Sequence, residues 1–497
     1  MQIEKPDMEY DVVIVGYGGA GASAAITAHD NGARVLILEK MPIPGGNSRS
    51  SGGMLPGIKR NDQAQQMTDY LHQACFGTTE RDLIEEFVKG YLELPKWVQS
   101  MGGELGYVIP HVSYSFFVPL ITNPGIPASK GLEIGTKCLS RSETCPEPTG
   151  GARMFGLLSR QVAMRDIKVI LSTPVKELIQ NDKGVIVGVI AESENKEIVI
   201  KARKGVIMTC GGFENNDALK WEYLEPKPLG FMGNPGNTGD GIKMVQKVGA
   251  ALWHMSRQVT CIGFKAEEYE AYFDMDFPAP GFIYVDKYGK RFINEPQLDK
   301  HDYWKPCLEF DNINSYEYTR VPGWVIFDEE VRRTGPINFT IAGYNLAFNI
   351  YQWSSDNSKE VAKGWILKAR SINELARKMS VNPEVLQTTL TKYNTDCENN
   401  YDTEFSRPIE SLKPIEGPPY YAVQIWPILI NTQGGPKKDK EAKVIDTDGN
   451  QIPGLYAAGE FGSIWGFLYP GGGNFAEALI YGKIAGHSAS SANENLD

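Results

Sequence analysis

The sequence predicts an α/β protein in which a parallel-sheet domain is interrupted by an α+β insert. A buried strand, a glycine-rich turn, a small-residue helix and a second buried strand occupy the first forty residues. Glycine-rich sequence of this kind returns near the C-terminus, whereas the central region is richer in aromatic residues and helical patterns. We therefore predict that 1–252 and 415–497 form one domain and that 253–414 forms the other.

The composition excludes several classes of protein. Hydrophobic residues make up 42% of the 497 residues, enough for a packed core, which argues against a disordered chain. The net charge of −11 argues against a general nucleic-acid binder, which needs a basic face. The seven cysteines are scattered without a C-x-x-C pair, so we expect reduced thiols and no metal site. No signal-peptide core or membrane-spanning stretch is evident, so we expect a cytoplasmic protein.

A dinucleotide-binding turn is the clearest motif. Gly16, Gly18 and Gly21 form G-x-G-x-x-G between the first strand and the first helix. In this pattern the first glycine permits the tight turn, the second lets the backbone approach a pyrophosphate, and the third allows close helix packing. Glu39 ends the second strand, where a carboxylate can accept from a ribose hydroxyl. These features predict a Rossmann-type domain.

Further elements follow from periodicity. Alternating runs from Ile167 to Thr209 predict an antiparallel meander of strands. Helical patterns cover Ile372 to Met379 and Pro383 to Asn394 within the insert.

A second glycine-rich segment, 45–53, follows Glu39 and Lys40 at once. Glycine there indicates backbone that passes close to a large flat ligand. An ordinary flexible loop is the alternative on composition alone.

Several motifs occur in one order along nearly the whole chain. They are the G-x-G-x-x-G turn, the loop 45–53, Thr209 to Phe213, Asn237 to Gly241, Gly289 to Glu295, Thr432 with Gly434-Gly435, and Gly454 to Glu460. With them the chain resembles the FAD-dependent superfamily of fumarate reductases and 3-ketosteroid dehydrogenases. The resemblance implies a Rossmann-type FAD-binding domain interrupted by an α+β substrate-capping, catalytic domain. It also implies non-covalent FAD, because the loop lacks the histidine by which membrane-bound members attach the flavin.

Matched position by position, the resemblance implies an FAD site in which Glu460 and the region of Asn474 line the ribityl chain and the flavin. Its residues are Gly16, Gly18, Gly19, Ala20, Gly21, Glu39, Lys40, Gly46, Asn47, Ser48, Ser51, Gly52, Gly53, Gly211, Gly212, Asp240, Gly459, Glu460, Asn474 and Ala476.

Two segments argue against a dicarboxylate substrate, which needs fixed cationic groups. Dicarboxylate reductases resemble one another in an arginine just before a C-terminal Gly-Gly-Asn, but Trp465 to Asn474 contains neither arginine nor histidine. The Thr-Arg-Asp that usually follows Asn-Glu in the cap is also missing after Asn294-Glu295.

The stretch Tyr469 to Gly473, Tyr-Pro-Gly-Gly-Gly, is instead similar to the 3-ketosteroid Δ1-dehydrogenases. That similarity implies that the Tyr469 hydroxyl and the Gly473 N–H bind a ketone oxygen. It places the base near Tyr303, with Asp299 as the alternative at the ungapped match, and a supporting tyrosine at Tyr114. We expect His301 to be a structural or surface residue.

We therefore expect an FAD-dependent oxidoreductase that removes hydrogen across Cα–Cβ of a cyclic ketone, or reduces the enone. A base takes the Cα proton and flavin N5 takes hydride from Cβ. The partners would be an apolar cyclic ketone or enone and an electron acceptor or donor of unknown identity. The alternatives are an enoate reductase of fumarate or urocanate type and a non-catalytic electron-transfer flavoprotein.

Overall fold

The computed structural model describes residues 5–107, 126–142, 147, 149–297, 299–469 and 471–494. The strands are Met8–Val15, Val35–Leu38, Leu55–Ile58, Leu105–Tyr107, Ile134–Leu139, Lys168–Ile170, Val175–Gln180, Ile186–Ser193, Lys196–Met208, Gly230–Phe231, Leu252–Trp253, Gln258–Phe264, Phe273–Asp274, Phe282–Val285, Phe310–Asp311, Glu317–Tyr318, Gly323–Phe327, Leu367–Ala369, Tyr420–Thr432, Gly435–Pro436, Lys443–Ile445 and Gln451–Ala457. The α-helices are Gly19–Asp30, Gly46–Ser50, Ala64–Ala74, Arg81–Ser100, Gly150–Met164, Asp217–Tyr223, Asp240–Lys247, Glu329–Thr334, Tyr344–Ala347, Ser358–Ala362, Ile372–Met379, Pro383–Glu398 and Gly473–Ser491. Short 3-10 helices cover Asn61–Gln63, Pro127–Ser129, Glu295–Gln297, Lys300–Asp302, Pro306–Leu308 and Ile409–Ser411.

The first domain is built on a sheet whose central strands are parallel. Met8–Val15 lies between Val35–Leu38 and Lys196–Met208, and Gln451–Ala457 pairs in parallel with the far side of Lys196–Met208. The C-terminal ends of these strands are buried on both faces, so the apolar runs there are continuous rather than alternating. The predicted Rossmann-type unit is confirmed, and the predicted meander appears as the antiparallel pairing of Val175–Gln180, Ile186–Ser193 and Lys196–Met208.

Two helices from opposite ends of the chain pack together over this sheet. Gly19–Asp30 begins at the predicted glycine turn and ends at the Asn31 cap, and Gly473–Ser491 lies against it. A Cβ at Gly482 would lie 2.5 Å from the Ala20 oxygen, and one at Gly486 would lie 2.4 Å from the Ala24 oxygen. Glycine therefore lets the two backbones touch, which fixes where the C-terminal helix begins.

The second domain, the cap, has a mostly antiparallel sheet. Its central strand, Tyr420–Thr432, pairs with Gln258–Phe264, Gly323–Phe327 and the short Gly230–Phe231. The sheet therefore reaches beyond 253–414 on both sides, and that division of the chain stays a prediction. The strand Tyr420–Thr432 crosses the predicted boundary because it runs from the core of the cap to Gly434-Gly435 beside the first domain.

Helix signals in the cap agree with the sequence. Ile372–Met379 has the predicted bounds, and Pro383–Glu398 continues one turn beyond its predicted end. Asn382 accepts from Glu384 and Val385, and Pro383 occupies the first turn, where its missing N–H costs nothing. Within the described ranges, no helix combines the length and the apolar character that crossing a membrane requires.

A buried ionic network braces the cap segment that reaches the first domain. Arg291 contacts Glu295 at 3.1 Å and Asp402 at 3.0 Å, and Arg407 contacts Glu295 at 3.2 Å. All four side chains are fully buried, so each charge depends on its partners. The network fixes Glu295, and with it the start of the segment that continues through Lys300–Asp302.

We predict that Gly482→Ala destabilises the protein by about 1–3 kcal/mol, because the added methyl separates two helices in backbone contact. Helix propensity alone would favour alanine by about 1 kcal/mol, so the sign of the change in the free energy of unfolding shows which effect dominates. Urea unfolding measures it, with Ser491→Ala at the exposed end of the same helix as the control. An unchanged or higher midpoint for Gly482→Ala would show that the close approach is not required.

Candidate active site

One cavity lies between the glycine turn of the first domain and the cap. Its empty volume is about 1700 Å³, part of it open to solvent. The first domain contributes the turn, the end of the second strand and the start of the C-terminal helix. The cap contributes Asp274, Lys300, His301 and Phe339. The cavity is large enough to hold a dinucleotide at one end and a second molecule at the other.

The three fingerprint glycines have different steric surroundings. A Cβ on Gly16 would lie 2.4 Å from the Thr209 oxygen, and one on Gly21 would lie 2.1 Å from the Gly16 oxygen. A Cβ on Gly18 would meet nothing closer than 3.6 Å, and Gly18 lines the cavity. Gly16 and Gly21 are therefore required by the protein's own packing, whereas Gly18 leaves open a cradle that a pyrophosphate can fill.

Glu39 and Lys40 line the adjoining part of the cavity. The Glu39 carboxylate accepts from the backbone N–H of Tyr17 at 2.8 Å and of Met41 at 2.8 Å. Burial raises the pKa of Glu39, although these hydrogen bonds oppose the rise. Each of its oxygens keeps a further lone pair, which suits a ribose diol. Lys40 contacts Thr238 at 2.6 Å and pairs with Asp240.

The segment 45–53 lines the cavity but differs from the expected loop, because Gly46–Ser50 forms a short helix. Ser48 accepts from the Gly19 N–H at 2.9 Å, which ties this segment to the glycine turn. Asn47 accepts from the Asn234 N–H at 2.7 Å. The segment therefore links the fingerprint to the side of the cavity that faces the cap.

Two buried carboxyls, Glu214 and Glu460, meet beside Asn47. The Asn47 amide donates to Glu214 at 2.9 Å and to Glu460 at 3.1 Å, and the Thr432 N–H donates to Glu460 at 3.1 Å. Burial raises the pKa of both carboxyls, and for Glu460 the neighbouring Glu214 raises it further. Two carboxylates in one buried place cannot both ionise readily, so the pair retains a proton. Glu460 lines the cavity and Glu214 lies behind it.

The start of the C-terminal helix brings unpaired polar atoms to the cavity. Asn474 is buried, and within the described part of the chain neither its amide oxygen nor its amide nitrogen has a hydrogen-bond partner. A buried amide without partners is costly unless a ligand satisfies it. Asn474 and the open cradle at Gly18 together fit a large polar cofactor such as FAD.

Tyr469 lies at the same place. The Asn474 N–H points at its hydroxyl oxygen at 3.3 Å, and both residues line the cavity. Burial raises the pKa of Tyr469, so the hydroxyl keeps its proton near neutral pH and can donate it in a hydrogen bond. Gly473 lies between the cavity-lining residues Gly472 and Asn474, in the first turn of the helix.

The cap presents a buried ion pair and an imidazole. Lys300 Nζ lies 2.6 Å from Asp274 and 4.3 Å from the centre of the Phe339 ring. Burial raises the pKa of Asp274 to about 6, although Lys300 opposes the rise. Burial lowers the pKa of Lys300, but Asp274, Asp276 and Cys261 together outweigh this effect and the net shift is upward. His301 lies 3.0 Å from Asp299 and its ring is 5.2 Å from the Tyr469 ring.

The structure places the remaining sequence-predicted residues as follows. Tyr303 is fully buried in the cap core, where its ring packs against Tyr284, and it does not line the cavity. Tyr114 lies outside the described residues. Gly212 and Ala476 are buried behind the cavity wall; a Cβ on Gly212 would lie 2.3 Å from Glu460.

Of the other predicted FAD residues, Gly21 is also behind the wall, and the rest line the cavity. Those that do are Gly16, Gly18, Gly19, Ala20, Glu39, Lys40, Gly46, Asn47, Ser48, Ser51, Gly52, Gly53, Gly211, Asp240, Gly459, Glu460 and Asn474.

Sequence reasoning missed three cavity residues of the cap, namely Asp274, Lys300 and His301. We expected His301 to be a structural or surface residue, but the structure brings it to the cavity. The available signal was the run of four charged or imidazole side chains, Asp299 to Asp302, that follows the Asn-Glu motif in an otherwise aromatic region.

This site defines a class of protein: a dinucleotide-binding protein whose cavity lies beneath a cap. Comparison of the sequence with known protein families identifies one family. The profile of the family described as "FAD binding domain" matches residues 11–476, and the chain belongs to that family. Its cofactor is FAD.

Relatives span two kinds of enzyme. The chain is 30% identical to an NADH:fumarate oxidoreductase of Klebsiella pneumoniae, over 97% of this chain and 47% of the relative. It is 27% identical to a 3-oxosteroid 1-dehydrogenase of Mycobacterium tuberculosis, over 96% of this chain and 97% of the relative. The chain thus spans about half the length of the first relative.

Among solved structures, 3-ketosteroid Δ1-dehydrogenase from Sterolibacterium denitrificans, in complex with 1,4-androstadiene-3,17-dione, superposes with a TM-score of 0.81. The identity is 23%, and the match covers 97% of this chain and 99% of the other. At this identity the likeness establishes the fold.

We predict that Gly18→Ala leaves the apoprotein as stable as wild type but weakens FAD binding by about tenfold or more, because the methyl enters the cradle. Fluorescence titration of the apoprotein with FAD measures the affinity. In contrast, Gly21→Ala is expected to lower the unfolding midpoint of the apoprotein as well, since its methyl would meet backbone. Unchanged FAD affinity in Gly18→Ala would refute the assignment of the cradle.

Proposed function

We propose that the protein transfers hydrogen across the Cα–Cβ bond of a neutral carbonyl compound, as a cyclic ketone dehydrogenase or enone reductase. The observation that carries the proposal is the Tyr469 hydroxyl, which lines the cavity at the N-terminus of the C-terminal helix. Its oxygen faces the Asn474 N–H, so its own hydrogen is the one available to a ligand. A neutral carbonyl needs such a donor and no cationic fork.

Each group in the cavity would have a separate role in this reaction. Tyr469 and the Gly473 N–H would hold the carbonyl oxygen, and both donors become more favourable as negative charge develops on it. The helix N-terminus adds a positive electrostatic contribution at the same oxygen. Bound FAD supplies the two-electron hydride chemistry at the β-carbon. The apolar side chains Met54, Met232 and Phe339 line the cavity and would exclude water from the substrate.

We further propose that the predicted FAD residues hold the cofactor, and that it is bound non-covalently because the segment 45–53 has no histidine. The glycine cradle and Glu39 would bind the pyrophosphate and the adenosine ribose. Asn47, Glu460 and Asn474 would lie along the ribityl chain and flavin. The electron partner would be a separate molecule or domain.

A second candidate is an enoate reductase, and one observation favours it. Lys300 places a cation in the cavity, where it could bind a carboxylate, and relatives include fumarate and urocanate reductases. Asp274 already neutralises that cation, and within the described residues no arginine lines the cavity. Among the described residues, a dicarboxylate would therefore find two lysines that are each paired with an aspartate, Lys40 with Asp240 and Lys300 with Asp274, instead of several free cations.

We predict that Tyr469→Phe lowers turnover of a cyclic enone or ketone by about 10²–10³-fold, because one donor to the developing oxyanion is lost. The measurement is anaerobic. Reduced holoenzyme is mixed with 2-cyclohexenone, 1,4-androstadiene-3,17-dione, fumarate or urocanate, and oxidised holoenzyme with cyclohexanone or 4-androstene-3,17-dione, while flavin absorbance is recorded.

Tyr401→Phe, on the exposed surface, is the matched control and should leave turnover unchanged. Oxidation of the reduced flavin by the unsaturated acids alone would replace the proposal by the second candidate. Turnover of ketones or enones by Tyr469→Phe at the wild-type rate would remove Tyr469 from the mechanism.

We predict that carboxylate ligands bind more tightly as pH falls through about 6. The raised pKa of Asp274 means that it is ionised and pairs with Lys300 above this pH but takes up a proton below it. Asp276 and Cys261 also interact with Asp274: the Asp276 charge raises the pKa of Asp274, whereas a hydrogen bond with Cys261 lowers it. Between pH 8 and 5, fumarate affinity should rise about tenfold, or about 1.4 kcal/mol.

Flavin difference spectra of the holoenzyme at each pH measure this affinity. Lys300→Met should abolish the rise, which attributes it to the ion pair. A rise of equal size in Lys300→Met would contradict the role of the pair. Cyclohexanone, which carries no charge, serves as the ligand control.

A further inference from the structure

We infer that His301, held by Asp299, is the group that exchanges the Cα proton with the substrate. This inference rests on the proposed function, since it concerns a carbonyl substrate in the same cavity. It assigns the acid–base step to a cap residue that neither the composition nor the resemblance indicated. Asp299 acts through His301 and is a positioning residue.

The cap fixes the imidazole at two points. Asp299 caps the short helix Lys300–Asp302, and its carboxylate accepts from both the His301 backbone N–H and Nδ1, each at 3.0 Å. Thr260 donates to the His301 carbonyl at 3.3 Å from the neighbouring strand. Burial opposes ionisation of Asp299, but the His301 contact holds the pKa of Asp299 below its usual value. An ionised carboxylate thus orients the ring and holds Nδ1 toward Asp299.

The same ring faces the proposed carbonyl donor. His301 and Tyr469 both line the cavity, and their ring centroids are 5.2 Å apart with an edge-to-face angle of 69°. One comes from the cap and the other from the first domain. A carbonyl oxygen and its α-carbon are two bonds apart, so neighbouring side chains can serve both atoms of one substrate. Since Nδ1 faces Asp299, Nε2 is the ring nitrogen that would exchange the proton.

Other titratable groups of the cap are less suited to this step. Tyr303 is enclosed in the cap core away from the cavity, and burial raises the pKa of its hydroxyl well above the usual value. Lys300 and Asp274 do line the cavity, but they are bound to each other at 2.6 Å. His301 combines contact with the cavity, a fixed orientation and a side chain type that exchanges protons near neutral pH.

A route for the proton continues away from the cavity. The Asp299 side chain is 34% exposed, whereas that of His301 is 9% exposed. A proton taken from the substrate can therefore pass from the imidazolium to solvent beside Asp299.

Dehydrogenation would take place in two steps. The α-carbon loses its proton to Nε2, and the C–H electron pair stays on the substrate as an enolate whose oxygen is held by Tyr469 and Gly473. The β-carbon then loses a hydrogen with its two electrons to oxidised flavin, and the enolate becomes the enone. In the reverse direction the imidazolium returns a proton to the α-carbon.

Isotope exchange tests the proton step apart from the redox step. Reduced holoenzyme is incubated with cyclohexanone in D2O without an electron acceptor, so that ketone oxidation is blocked, and α-deuterium uptake is followed by NMR. We expect uptake with wild type and a loss of about 10²–10⁴-fold in His301→Gln. Asp299→Asn should lose less, with KM unchanged, and Asp299→Glu should recover part of the rate. The same assay on 4-androstene-3,17-dione covers a larger ketone.

The assignments of the proton carrier to His301 and to Tyr303 predict different results for Tyr303→Phe. This variant should keep the exchange if His301 carries the proton. Exchange within twofold of wild type in both His301→Gln and His301→Asn overturns the inference. Visible flavin spectra and unfolding midpoints establish that each variant is folded and loaded. If the wild-type enzyme turns over a ketone without measurable deuterium exchange, the single-turnover rate of flavin reduction is compared instead. An unchanged rate in His301→Gln would then also overturn the inference. If wild type neither exchanges nor changes flavin absorbance with any ketone or enone, the proposed function fails, and the inference with it.

Discussion

The backbone contact between the first and last helices is the constraint on which the site depends. Glycines at 482 and 486 let Gly473–Ser491 lie directly on Gly19–Asp30. The start of the C-terminal helix is thereby fixed beside the glycine cradle, although more than 400 residues separate the two in sequence. Asn474 and Tyr469 thus take their places in the cavity from helix packing, and not from the loops around them.

The cap completes the cavity from the other side, and its own rigidity comes from buried charges. The network of Arg291, Glu295, Asp402 and Arg407 holds the start of the segment that ends in Lys300 and His301. Because removing one partner would strand a buried charge, the segment has little freedom to move away. In the proposed reaction the first domain would supply the hydrogen-bond donors, and the cap would supply His301 for the proton exchange.

Local sequence was enough for the fingerprint and for several elements, because their signals lie within a few residues. The G-x-G-x-x-G turn, the Asn31 helix end and the Asn382-Pro383 helix start are of this kind. The positions of Tyr303 and His301 were not predictable in this way, since both lie in the segment after Glu295. Which side chain reaches the cavity depends on the short helix Lys300–Asp302 and on long-range packing. The pairing of Glu214 with Glu460 likewise joins distant parts of the chain.

The central claim is that a neutral carbonyl is bound between Tyr469 and His301 while FAD occupies the glycine cradle. A crystal structure of the oxidised holoenzyme with a cyclic enone tests it most directly. We expect the carbonyl oxygen to lie within hydrogen-bond distance of the Tyr469 hydroxyl and the α-carbon to face the His301 ring. A carbonyl or carboxylate bound at Lys300, with Tyr469 out of reach, would contradict it.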